Sequence, residues 1–146
     1  MVEIWRAAAG FPGYEVSSFG RMRSLARQVV EHNGKVRFHK AKPLKASPNP
    51  GDGYPRVSLR RDGKTRYTYV HVLVALTFIG PPPPGHEVRH GDGNRANPRL
   101  DNLCYGTRAD NIDDARRHGT FPHAGNWVKG QNSKGRKPWP RSAAVP

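Results

Sequence analysis

The chain has a single cysteine, Cys104, among its 146 residues. One thiol forms no internal disulfide and no cysteine-based zinc ribbon, and it suits a reducing compartment. Acidic residues are also scarce: 11 Asp and Glu stand against 25 Lys and Arg, a formal charge of +14 and a pI near 10.8. The excess recurs along the whole chain, so the expected partner is a polyanion. Long apolar runs are missing. The longest, at residues 70–79, is far short of the roughly 20 residues that span a bilayer. No segment combines a basic face with a bulky apolar face in the way of a helix lying on a membrane, and the first residues lack the blocks of a secretory signal. The expectation is therefore no membrane, a soluble cytoplasmic protein, and nucleic acid as the polyanion. Apolar residues make up 35% and the mean hydropathy is −0.80. Such a chain builds a thin core, as one domain with appendages or as two very small lobes.

What is present first is a series of strand and turn signals. Residues 14–17 and 21–25 alternate on either side of Ser18-Phe19-Gly20 and read as a hairpin. Asn33-Gly34, between 28–31 and 35–39, predicts a second hairpin with a type I′ turn, in which both central residues take positive φ. Residues 55–60 alternate, with Val57 and Leu59 opposite Arg56, Ser58 and Arg60. Asp62-Gly63 then turns the chain into 65–69, a third hairpin with one basic face.

Residues 70–79 change period. Val70, Leu73, Val74 and Thr77-Phe78 repeat at helical spacing and Gly80-Pro81 ends the run, which predicts a mostly buried helix. His71 within it reads as a hydrogen-bonded core histidine. After the stiff connector 81–84, short strands are expected at 87–90 and 103–105 around an irregular loop. A helix then runs from Thr107, its N-cap, to about His118, with Asp110 completing a capping box and Gly119 at C′. Residues 120–146, rich in Gly, Pro, Asn and Lys, read as a mostly disordered basic tail carrying Trp127 and Trp139.

A strand ending in His90, a loop and a helix packed back on that strand make a ββα arrangement. His90 suits a general base, because imidazole titrates near neutral pH. His90, Asp92-Gly93-Asn94, Asn97, Asp101-Asn102-Leu103 and Asn111 resemble the pattern of HNH endonucleases. The likeness is to the phage and intron-encoded, homing-type branch, in which a Val-His-x-Leu-Val-Ala helix precedes the motif, as Val70-His71-Val72-Leu73-Val74-Ala75 does here. Residues 3–24, with Trp5, Gly13-Tyr14-Glu15-Val16-Ser17 and Gly20-Arg21-Met22-Arg23-Ser24, are similar to the NUMOD4 module found ahead of such nucleases.

The resemblance implies an α+β fold: a small N-terminal β-hairpin module at 1–66, a ββα-metal core at 67–119, and the tail at 120–146. It implies a DNA endonuclease using Mg²⁺, Mn²⁺ or another divalent cation. In it His90 is the base, Asn102 braces the loop and holds the histidine, and Asn111 is a metal ligand. One active site cuts one strand, so a monomer is expected to nick. The position before the histidine, often a ligand in this family, is Arg89, which accepts no cation. Asp114 and His118, at i+3 and i+7 from Asn111, are the substitutes on the same helix face, although the helix dipole and ion pairing alone also favour such residues there. Arg21, Arg23, Arg56, Arg60, Arg61, Lys64, Arg66 and Arg89 are the expected phosphate contacts. A non-catalytic DNA-binding protein with the same fold is the alternative. A basic RNA-binding assembly protein would explain the charge but not the His and Asn pattern.

Overall fold

Short alternating segments separated by positive-φ glycines dominate the first half of the chain. The computed structural model describes residues 1–119; the predicted tail, with Trp127 and Trp139, lies outside the described residues. Three strands, β1 (Trp5–Ala7), β2 (Tyr14–Ser17) and β3 (Met22–Ser24), form an antiparallel sheet. Next come β4 (Arg27–Val30) and β5 (Val36–His39), a separate two-stranded ribbon, before β6 (Lys42–Leu44) returns to pair with β3. The predicted hairpin at Ser18-Phe19-Gly20 is thus the β2–β3 turn. Ser17 Oγ accepts hydrogen bonds there from the N–H of Phe19 and of Arg21.

The second predicted hairpin is β4–β5, but its turn differs from the expected one. Gly34 has positive φ and Asn33 does not. The N–H of Gly34 donates to Glu31 O, that of Glu31 to Lys35 O, and Asn33 Oδ1 accepts from the N–H of Lys35. This is a three-residue loop closed by a left-handed glycine, and the Asn33 side chain bonds its own loop in place of taking positive φ itself. At Asp62-Gly63 both residues do have positive φ, 52° and 72°, which joins β8 (Pro55–Arg61) to β9 (Lys64–Tyr69) in a tight two-residue turn. The short β7 (Ser47–Pro48) adds a third strand to this sheet.

Helix α1 (Val70–Phe78) follows β9 without a loop. It is apolar nearly all round, as a helix enclosed by protein must be, and Val70, His71, Leu73, Val74 and Ala75 are buried. The remaining elements form the ββα unit: β10 (His86–His90), an irregular loop with a 3-10 turn at Leu100–Asn102, β11 (Leu103–Thr107) and α2 (Arg108–Arg117). Thr107 and Asp110 make the predicted capping box, each side chain accepting from the other's backbone N–H. The end of α2 is at His118, with Gly119 at positive φ beyond it.

One hydrophobic core runs through the N-terminal sheet and the ββα unit. Val16 and Met22 from the first sheet, Val57 and Leu59 from β8, Val70, Leu73 and Val74 from α1, and Leu100 and Leu103 from the later loop and strand belong to one cluster. The seam also has polar ties. Leu100 N–H donates to Ser18 O at 2.8 Å, and Gly20, at φ +81°, lies so close to Pro98 that a Cβ would sit 2.4 Å from its ring. Among the described residues no helix is long and apolar enough to cross a membrane.

Candidate active site

The loop between β10 and β11 is held by its own amides and carboxylates, as a loop with few apolar residues must be. Asn102 Oδ1 accepts from the N–H of Asp92, and Asn102 Nδ2 donates to Asp92 Oδ1 and to Asn97 O. The N–H of Gly91 donates to Asn102 O. Asp92 accepts further bonds from the N–H of Asn94 and from Asn97 Nδ2. Burial pushes the Asp92 carboxyl up, but its bonds from Asn97, Asn94 and Asn102 outweigh this and hold it below the ordinary carboxylate range. It therefore stays ionised two residues after His90.

His90 ends β10 and faces away from α2. Its ring lies among others: His71 from α1 at 5.0 Å between centroids and Tyr54 at 5.6 Å. Tyr54 also lies 4.8 Å from His71, and Tyr69 5.5 Å from it. Both histidines are 8% exposed. Burial lowers the His90 imidazole pKa from its ordinary value, with the Asp92 charge opposing this. Burial, assisted by the neighbouring His90, drops His71 to about 4. The expectation for His71 is half met: it is a core residue, but its Nδ1 has no hydrogen-bond partner among the described residues.

Around the rings runs a polar frame that the sequence did not reveal. Tyr69 Oη donates to Asp52 Oδ2 at 2.5 Å and accepts from Asn49 Nδ2. Asp52 Oδ1 accepts from the N–H of Tyr54. Arg95 reaches from the motif loop to Asp52 O at 2.8 Å, with its guanidinium 5.2 Å from the Tyr54 ring. The hydrogen bond from Tyr69 is the main reason that the Asp52 carboxyl lies below its ordinary pKa. In the sequence, residues 48–53 read simply as a loop; nothing local pairs them with residues 69 or 95.

On the other face of β10, three contacts tie the strand to α2 in step. Asn111 Nδ2 donates to Glu87 Oε2 at 3.0 Å, Arg89 Nε donates to Asp114 Oδ2 at 2.8 Å, and His118 Nε2 lies 3.3 Å from Gly91 O. Strand residues two apart share a face and helix residues three or four apart share a face, so the ladder follows from both periods. The Arg89 and Asp114 side chains are each 10% exposed. Asp114 Oδ1 also meets Arg117 at 3.4 Å. Both Asp114 oxygens thus meet arginine and His118 Nε2 faces a carbonyl, in place of the open donors that the expected metal-ligand role asks for. The Arg89 guanidinium, expected at phosphate, is buried here against the Asp114 carboxylate.

The other expected phosphate contacts divide into two groups. Arg21 is ion-paired with Glu3, and Arg23 with Glu15. Arg60 donates to Gly63 O, Arg61 donates to Gly10 O, and Arg56 lies over the Tyr67 ring. Lys64 and Arg66 are exposed on β9. The β4–β5 ribbon, which carries Arg27, Lys35 and Arg37, was not among the predicted contacts, yet every residue of its two strands is exposed.

The HNH endonuclease family matches residues 68–112, and the NUMOD4 motif matches residues 3–60. DNA endonuclease I-HmuI of Bacillus phage SP01 is 32% identical over 118 residues, 80% of this chain and 60% of that protein. Two uncharacterised HNH endonucleases of Acanthamoeba polyphaga mimivirus are 37% and 31% identical. These matches cover 65% and 82% of this chain, but 21% and 32% of the viral proteins. The solved structure of the HNH homing endonuclease I-HmuI, a study of its DNA binding and cleavage, superposes with a TM-score of 0.62 at 32% identity. It covers 81% of this chain and 60% of that one. The chain therefore spans at most about 60% of the length of these relatives.

Proposed function

We propose that this chain, which belongs to the HNH endonucleases and carries a NUMOD4 motif ahead of its nuclease segment, is a divalent-metal-dependent DNA endonuclease that acts as a monomer in the cytoplasm and nicks one strand. The observation that carries this reading is the setting of His90. It stands at a strand end beside a loop tied by Asn102, with Asn111 on the helix packed against the same strand. His90 takes the proton from the attacking water. Its burial keeps it neutral near pH 7 and so able to accept. Asn102 keeps the loop, and with it the end of the strand, in one conformation.

HNH endonucleases generally use divalent ions. With Asp114 and His118 held by other contacts, the donors that would fit one are the Asn111 amide oxygen and the Glu87 carboxylate, on side chains that meet across the strand–helix seam through Asn111 Nδ2. Among the described residues no three of His, Cys, Asp and Glu converge. A neutral and an anionic hard oxygen still match the way Mg²⁺ is held, with few protein ligands and the rest phosphate and water. When bound, such an ion would offset charge on the phosphate and the leaving oxygen.

DNA lies, in this proposal, along the basic β8–β9 hairpin and the β4–β5 ribbon, since a two-stranded ribbon is narrow enough for the major groove. Supercoiled plasmid with Mg²⁺ or Mn²⁺ should become open circles with the native protein. His90→Ala should slow this by about 100-fold or more while DNA affinity is retained. DNA binding without nicking by the native chain would instead support the second reading, a binding protein with this fold. That reading is favoured by the Arg89–Asp114 pair at a position where the family often has a ligand.

A further inference from the structure

Two buried nitrogens are left unexplained by the proposed reaction: His71 Nδ1 and His90 Nε2. Both are sealed from solvent, and neither has a hydrogen-bond partner among the described residues. An unmet buried polar group costs about 1–3 kcal/mol, and here two of them lie on neighbouring rings from different elements. Their ring centroids are 5.0 Å apart with planes at 61°. Two imidazoles joined by an N–H···N bond of ~2.9 Å have centroids roughly 5 Å apart, since each ring adds on the order of 1 Å. The centroid separation leaves room for such a bond once the rings turn to bring the two nitrogens together.

We propose that His71 is a positioning residue for His90: its Nδ1 accepts a hydrogen bond from Nε2–H of His90 and so holds His90 in the tautomer whose Nδ1 lone pair is open to a water proton. This rests on His90 being the general base. The direction of the bond matters. If His71 donated through Nδ1–H, neutral His90 would carry its proton on Nδ1 and the base would be blocked. The surroundings favour a neutral acceptor at 71. Tyr54 and Tyr69 flank its ring, and the Asp52 carboxylate, whose charge opposes burial at His71, is already bonded to Tyr69; Asp92 and Arg95 act on His90 from the motif loop. Burial keeps His71 uncharged down to about pH 4. When His90 takes the water proton on Nδ1, its Nε2–H bond to His71 remains and becomes charge-assisted.

The test is made on the full chain with ¹⁵N-labelled histidine. At pH 7, long-range ¹H–¹⁵N correlations should show His90 protonated on Nε2 and bare on Nδ1, with His71 bare on Nδ1. A through-hydrogen-bond N–N coupling should join His71 Nδ1 to His90 Nε2. In plasmid nicking, His71→Phe should lower kcat roughly 10- to 100-fold with KM unchanged. His71→Asn, which restores an acceptor near the Nδ1 position, should recover most of the rate. A His90 protonated on Nδ1, a missing N–N coupling, or a folded His71→Phe protein that nicks at the native rate would each overturn the proposal. If His71→Phe does not fold, the spectra of the native protein decide alone. Undiminished nicking by His90→Ala would remove the general-base reading itself, which the coupling measurement distinguishes from failure of the pair.

Discussion

At the scale of single residues, Arg89 carries the most information. In the sequence it is a departure from the family pattern, because a cation stands where a ligand is expected. The structure shows what the departure accompanies: Asp114 one helical turn beyond Asn111, ion-paired with it in a site where both side chains are 10% exposed. Removing one member of a buried pair leaves the other charge unmet, at a cost of about 3–5 kcal/mol. Asp114→Ala should therefore lose stability on that scale in urea unfolding, and Asp114→Asn less. Near-native stability of metal-free Asp114→Ala would show instead that the pair does not hold the strand–helix seam. The pairing was hidden in the sequence because i,i+3 charges within α2 explain Asp114 equally well. Only the strand–helix register assigns it to Arg89. His71 shows the opposite case: its burial was legible from the apolar period around it, but its ring neighbours were not.

At the scale of elements, α2 is unusual in what holds it. Among its residues Asp114 is the buried one, and the helix is fastened to β10 by the ladder Glu87–Asn111, Arg89–Asp114 and Gly91–His118. Two glycines make room for this ladder. A Cβ at Gly106 would lie 2.1 Å from Arg89 Cδ, and one at Gly93 would lie 2.6 Å from the His118 ring. Gly106→Ala should then displace Arg89 and cost about 1–3 kcal/mol. The cost should largely vanish in an Arg89→Ala background, where the obstructing stem is gone; additive losses in a double-mutant cycle would show that the fit between the two is not the cause. The element boundaries themselves were readable because capping, turn and period signals are local. The β4–β5 turn was misread because Asn-Gly permits two loop geometries. The pairing of the flanking strands selects the three-residue one.

For the whole molecule, the shared core and the charge act together. Val16, Leu59, Leu73 and Leu103 come from four different elements but one cluster, so the basic β8–β9 hairpin and the His90 loop keep a fixed relation to each other. With +14 formal charges, DNA affinity should fall steeply and linearly on a log–log plot against salt. Arg66→Ala, at an exposed site on β9, should reduce the slope by about 1. Arg21→Ala should change it less, since Glu3 already neutralises that guanidinium. Equal effects from the two substitutions would mean that the ion pair opens on DNA.

The sequence by itself carried the expectation of a polyanionic partner, most of the strands and helices, and the two motifs that the chain shares with its relatives, because charge, period, turn chemistry and motif spacing are properties of neighbours along the chain. It also placed His90, Asn102 and Asn111 in one motif. Tertiary structure alone decided which side chains meet. It paired Asp114 with Arg89, brought Glu87 to Asn111, and set His71 beside His90. Those contacts depend on the register between β10 and α2 and on how α1 lies against the strand end. Both are settled by packing between residues far apart in the chain, which no local pattern records.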